Sequence, residues 1–123
     1  MGATVMNLHT LEHYMRLYHN PRCSKSRTAL ALLEMRGIDF EEYRYLDVGI
    51  SLEDIDLLLT LDGIVRTTED DFKKSTIDLD NLKEVKALLL TTPSLLQRPI
   101  LVINGEAKIG RPPENILTLL PDA

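Results

Sequence analysis

Five consecutive residues, Pro99-Ile100-Leu101-Val102-Ile103, followed at once by Asn104-Gly105, constrain the fold of this chain more than any other stretch. The run carries the strongest strand signal in the sequence, and Asn-Gly is the dipeptide that best suits a two-residue hairpin turn, because both its residues tolerate positive φ. Glu106 to Ile109 is then the returning strand. An antiparallel hairpin late in the chain must join a sheet, so the remaining question is what else that sheet contains.

The amino-terminal half answers it. Met15-Arg16-Leu17-Tyr18 reads as a strand, and from Ser24 to Arg36 the apolar positions Ala29, Leu30, Leu32 and Leu33 share one helical face. Gly37 is placed to end that helix at a left-handed cap. Phe40, Tyr43, Tyr45 and Leu46 then suggest a second strand. A strand, a helix and a second strand in succession imply a parallel pair with a right-handed crossover, which the late hairpin extends.

Between strand and hairpin the pattern is helical. Ser51-Leu52-Glu53-Asp54 reads as an N-cap with acids in the first turn, followed by Ile55, Leu57, Leu58 and Leu61, with Gly63 as the stop. The stretch from Arg66 to Lys74 is polar and reads as a short helix or loop. A clearer helix runs from about Leu79 to Leu90, and Pro93 lies just beyond it. Pro112 and Pro113 introduce a last helix through about Leu120.

Composition narrows the function. A chain of 123 residues, 44% hydrophobic, makes one domain with one core. A formal net charge of −5 argues against a nucleic-acid binder, and no apolar run approaches the roughly 18 residues that a membrane span needs. The single cysteine cannot close an internal disulfide, so a reducing cytoplasm fits. We read residues 1–14 as an arm outside the fold, either an addition or the product of an upstream start codon, and favour the second. They lack the basic start and apolar centre of a signal peptide. His9 and His13 lie there at a four-residue spacing with no third ligand, which leaves them as solvated residues and gives no metal site.

The stretch Tyr18-His19-Asn20-Pro21-Arg22-Cys23-Ser24-Lys25-Ser26-Arg27 holds that cysteine at the junction of strand and helix. From Arg16 to Arg27 there are four basic side chains and no acidic one. A helix N-terminus and nearby cations both lower a thiol pKa and favour an anion beside the sulfur. The local expectation is a thiolate in an anion cradle; a buried structural cysteine is the other reading.

Four blocks carry a resemblance: Tyr18-His19-Asn20-Pro21-x-Cys23-x-x-Ser26-Arg27, Arg66-x-x-Glu69-x-x-Phe72-Lys73, Gln97-Arg98-Pro99-Ile100 and Gly110-Arg111-Pro112-x-Glu114. With them the chain resembles the glutaredoxin-coupled arsenate reductases from Met15 to Leu120. The resemblance implies an α/β fold of the thioredoxin-like type, a mixed four-stranded sheet with an inserted helical segment, over residues 15–120. It also implies Cys23 as the nucleophile and Arg66, Arg98 and Arg111 as the groups that bind the arsenate oxyanion. The spacing of the three arginines does not by itself bring them together. By the same resemblance Ser26 donates a hydroxyl hydrogen bond to the thiolate and a protonated His19 favours it; an ordinary first-turn serine and a strand-end packing histidine are the alternatives. Asn20 arranges the loop, and Arg27 or Arg22 adds to the local field. Pro99 is expected to face the cysteine helix, with a cis peptide bond as one form.

No bound cofactor is implied. With one cysteine, the reducing thiol must come from outside, and the resemblance names glutathione and then glutaredoxin. Two rivals remain. The same site could act on glutathione adducts, as a deglutathionylating thiol transferase. Alternatively the chain could be a regulator resembling the Spx type, which shares the fold and binds RNA polymerase without catalysis; such members often carry a second cysteine where this chain has Ser26.

Overall fold

The computed structural model describes residues 14–120. Its sheet has four strands, β1 (Met15–Tyr18), β2 (Glu41–Tyr43), β3 (Ile100–Ile103) and β4 (Glu106–Ile109), in the order β2-β1-β3-β4. β1 runs parallel to β2 and antiparallel to β3, and β3 and β4 form the hairpin. Asn104 and Gly105 both take positive φ, 44° and 85°, as the two-residue turn requires. Between the strands lie α1 (Ser24–Met35), the single helical turns α2 (Tyr45–Val48), α3 (Ile55–Leu58) and α4 (Asp70–Lys73), and the longer α5 (Leu82–Thr91). The last segment, Pro113–Leu119, is a 3-10 helix. No helix among the described residues is long and apolar enough to cross a membrane.

Both faces of the sheet are covered, which explains why β3 is apolar at every position instead of alternating. Ile100 and Val102 point into a cluster with Tyr18, Tyr45, Ile55, Leu58, Val85, Leu89 and Leu96. Leu101 and Ile103 point the other way, onto Leu17 of β1, Ala29 and Leu33 of α1, and Ile116. The end of α1 follows from its glycine. Gly37 sits at φ +65°, its N–H donates to Glu34 O at 3.0 Å, and the N–H of Ile38 donates to Leu33 O at 3.4 Å. That pair of bonds is a Schellman closure, with Ile38 packed into the cluster that holds Leu33.

Three segments depart from the sequence expectations. β2 stops at Tyr43, because the last main-chain bond it offers is the Tyr43 carbonyl to His19 N–H, at 2.9 Å, where β1 itself ends. Tyr45 and Leu46 therefore lie in α2, and Tyr45 turns inward to 1% exposure. The fifth helix begins at Asn81 and not at Leu79, because the Asn81 side chain accepts the N–H groups of Lys83 and Glu84 and fixes the first turn there. Asp54, read as an acid of a helix's first turn, is 4% exposed and belongs to a buried ionic network.

That network ties the inserted segment to the sheet. Arg16 Nη1 donates to Asp54 Oδ2 at 2.9 Å and Arg16 Nε to Glu41 at 2.9 Å, while Tyr18 OH donates to the same Asp54 oxygen at 2.6 Å. The Arg16 guanidinium also lies over the rings of Tyr14 and Tyr43, at 4.9 and 4.4 Å. The expected arm of residues 1–14, His9 and His13 included, lies outside the described residues except for Tyr14, whose carbonyl accepts the Asn104 N–H at 3.3 Å. Removing one partner from a buried pair leaves an uncompensated charge. We expect Asp54→Ala to lower stability by on the order of 3 kcal/mol in urea denaturation; a loss within the scatter of surface substitutions would show that Glu41 alone satisfies Arg16.

Candidate active site

Cys23 is the N-cap residue of α1, in extended conformation (φ −95°, ψ 124°) and 9% exposed. The loop before it is held by its own polar groups. Asn20 Oδ1 accepts the Arg22 N–H at 3.0 Å, Asn20 O accepts the Cys23 N–H at 3.0 Å, and Arg27 Nη1 donates to Pro21 O at 3.0 Å. The sulfur is thereby fixed against the unfilled N–H groups of the first helical turn.

The electrostatics of the thiol are a contest. Burial pushes its pKa up, but the main-chain N–H of Ser26, the charge and hydrogen bonding of Arg98 and the N–H of Lys25 pull it down, and the balance lies below the ordinary cysteine value. Ser26 thus reaches the sulfur through its main chain. Its hydroxyl, fully buried, accepts the Asn20 N–H at 2.9 Å and pairs with His19 Nδ1 at 2.9 Å, in place of the hydroxyl-to-thiolate bond expected from the sequence. His19 also differs from expectation. At 2% exposure its pKa is lowered by burial first, with Arg44 and Arg27 adding to the effect against Glu42 and the Ser26 bond, which disfavours the imidazolium, and Nδ1 pairs with the Ser26 hydroxyl.

Arg98 and Arg66 come from segments far apart in sequence. The N–H of Arg66 donates to Leu95 O at 2.8 Å and that of Gln97 to Ile64 O at 2.7 Å, around a bridge between Val65 and Leu96, so residues 64–66 lie antiparallel to residues 95–97. The Arg66 guanidinium is held from outside by Glu69 (Nη2 to Oε2, 2.8 Å) and by Ser94 O (Nη1, 3.2 Å). Burial and then the charge of Arg98 lower the Arg66 pKa, while Glu69, Tyr45 and Cys23 raise it. Arg66, Arg98 and Cys23 are therefore within electrostatic reach of one another.

Arg111 enters differently. It is exposed, and its Nη1 donates to Arg98 O at 2.9 Å, so it braces the arginine that faces the sulfur. Both Arg98-Pro99 and Arg111-Pro112 are cis peptides. Gly110 lies between them with its N–H on Pro99 O at 2.8 Å, and a Cβ there would stand 2.8 Å from Pro99 Cγ and 3.0 Å from Ile116 Cγ2. Only glycine allows this approach. Arg22 and Arg27 point into solvent, and Arg27 serves the loop through Pro21. Sequence reasoning missed Tyr45, whose phenol responds to Arg98, Arg66 and Cys23. Its aromatic, strand-favouring character pointed elsewhere. Chemically, the assembly is a thiol of lowered pKa in the field of two guanidinium groups and helix amides, an arrangement suited to a tetrahedral anion.

A model of the ArsC family matches residues 18–119. The chain belongs to that family. An arsenate reductase of Neisseria meningitidis serogroup A is 42% identical over 114 residues, which cover 86% of this chain and 97% of that protein. The solved structure of an arsenate reductase from Vibrio cholerae superposes with a TM-score of 0.75 at 38% identity, covering 88% of this chain and 98% of that one. A protein of Listeria monocytogenes named global transcriptional regulator Spx is 31% identical over 112 residues, 85% of this chain and 86% of its own length. The mixed sheet with its inserted helices is the thioredoxin-like fold of these neighbours.

Two outcomes follow for the thiol and its surroundings. Arg98→Met should raise the Cys23 pKa and slow iodoacetamide alkylation severalfold at pH 7, because it removes a cation that favours the thiolate; an unchanged rate-against-pH profile would place Arg98 outside the thiol's field. Gly110→Ala should cost roughly 1–3 kcal/mol in thermal or urea unfolding through overpacking against Pro99 and Ile116.

Proposed function

We propose that this protein reduces arsenate to arsenite, with Cys23 as nucleophile. The observation that carries the proposal is the placement of a thiol of lowered pKa at the N-terminus of α1, under the charge of Arg98 and within reach of Arg66. The 42% identity to a Neisseria protein named arsenate reductase supports the choice of substrate.

The Cys23 thiolate attacks arsenic, an oxygen leaves as water after protonation, and a sulfur–arsenic bond replaces it. Arg98 and Arg66 take up the charge on the remaining oxygens, and Arg111 holds Arg98 through its carbonyl. Guanidinium groups suit this task because they donate in bidentate fashion and stay charged. Such preorganised donors often supply the largest share of the rate gain, with the loss of one costing on the order of 100-fold.

Arsenic then gains two electrons, so two thiols must end as one disulfide. The chain has a single cysteine, and the second thiol therefore comes from solution. We assign it to glutathione, with glutaredoxin resolving the mixed disulfide, in a reducing cytoplasm. The same site would act as a deglutathionylating transferase if glutathione adducts proved better substrates than arsenate. The Listeria relative favours a second reading, a regulator acting on RNA polymerase; Ser26 stands where such regulators often have their second cysteine, which weighs against it.

Arsenite production, followed with glutathione and glutaredoxin each omitted in turn, tests the assignment. Turnover should need both thiols, and Cys23→Ser should abolish it while oxyanion binding survives. Reduction that persists in Cys23→Ser would end the proposal, and stable copurification with RNA polymerase in the absence of turnover would favour the regulator.

A further inference from the structure

The three arginines assigned to the oxyanion differ in one respect. Among the described residues Arg98 and Arg111 have no carboxylate within ion-pair distance, whereas Arg66 carries one, its Nη2 lying 2.8 Å from Glu69 Oε2. A carboxylate beside a site that must attract an anion opposes that anion, so its presence there needs a reason. Stability does not supply one. The Glu69 side chain is 41% exposed and its partner is only three residues away in sequence, a kind of contact that contributes little to folding.

Geometry supplies the reason. Glu69 is the N-cap residue of α4 (φ −75°, ψ 146°), yet its side chain accepts none of that helix's N–H groups and turns back to the guanidinium. Its main chain closes the same turn, the Glu69 N–H donating to Arg66 O at 3.3 Å and Glu69 O accepting the Lys73 N–H at 3.1 Å. From the other side Ser94 O accepts from Arg66 Nη1 at 3.2 Å, and the Arg66 N–H donates to Leu95 O at 2.8 Å. The arginine is thus gripped at its main chain and at both terminal nitrogens. Of its five guanidinium N–H groups two are taken, one on each Nη, and three remain for a ligand. An arginine without that grip must give up its rotamer freedom when the anion arrives, which weakens binding.

We propose that Glu69 is a positioning residue of the oxyanion site, whose carboxylate orders the Arg66 guanidinium before the anion binds and leaves its three remaining N–H groups to meet that anion. This assignment rests on the oxyanion reading of Arg66 given above and adds a residue that itself touches no substrate. Its gain and its cost have opposite signs, which makes the assignment decidable. If ordering dominates, removing the carboxylate weakens anion binding; if charge dominates, removing it strengthens binding.

Inorganic phosphate, which has the shape of arsenate but is not reduced by thiols, is the probe. Its protection of Cys23 against iodoacetamide is titrated at about 0.15 M ionic strength, where distant charges are largely screened. The proteins compared are the wild type, Glu69→Ala, Glu69→Gln, Arg66→Met and the double variant Arg66→Met with Glu69→Ala, with thermal unfolding run in parallel. Glu69→Ala should weaken protection about fivefold, the scale of ordering one long side chain on binding. Glu69→Gln keeps an acceptor oxygen without the charge and should recover most of that loss. In the Arg66→Met background Glu69→Ala should add nothing, because the residue acts only through that guanidinium. Equal or tighter binding in Glu69→Ala overturns the assignment, as does an additive loss in the double variant, or a loss that appears only with a collapsed unfolding midpoint. In each of those cases weakened protection in Arg66→Met leaves the oxyanion reading standing. Undiminished protection in Arg66→Met, or none in the wild type, removes that reading of Arg66 and the Glu69 assignment with it.

Discussion

Burial by itself would keep the Cys23 sulfur protonated, and the structure near it is arranged to overcome that tendency. The opposing forces are main-chain N–H groups at the start of α1 and the charge of Arg98. Neither is free to drift. The amides belong to a twelve-residue helix closed at its far end by Gly37, and Arg98 is followed by Pro99, packed under Gly110. A thiol of lowered pKa therefore depends on the backbone as much as on any single side chain.

The inserted segment between β2 and β3 matters for the same reason. It contributes Tyr45 at one end and Arg66 further on, and it is attached to the sheet through Asp54, which binds both Arg16 and Tyr18 of β1. The carboxylate that anchors the insertion thus bonds to the strand that leads into the cysteine loop. Structural electrostatics and site electrostatics use separate cations, Arg16 for one and Arg98 with Arg66 for the other.

Much of the architecture was legible because it rests on local rules. The Asn104-Gly105 turn, the glycine cap of α1 and the apolar run of β3 each follow from a few neighbouring residues, and each is found where the sequence implies. The failures have a common origin in tertiary contacts. Tyr45 looked like a strand residue because aromatics favour strands, but β1 runs out of partners at His19 and the chain must turn. For His19 the resemblance implied a protonated imidazole and the residues alone allowed a strand-end packing histidine; its 2% exposure depends on packing that no local pattern encodes. The approach of Arg66 to Arg98 rests on a two-stranded contact across some thirty residues, which no spacing rule anticipates. Family motifs, not periodicity, singled out those arginines.

That contact has a mechanical consequence. Residues 95–98 accept the main chain of Arg66 and also carry Arg98, so both guanidinium groups are mounted on one short rail. The backbone positions of the two arginines are therefore coupled through main-chain hydrogen bonds, and a substitution that disturbs one side of the rail disturbs the seat of both.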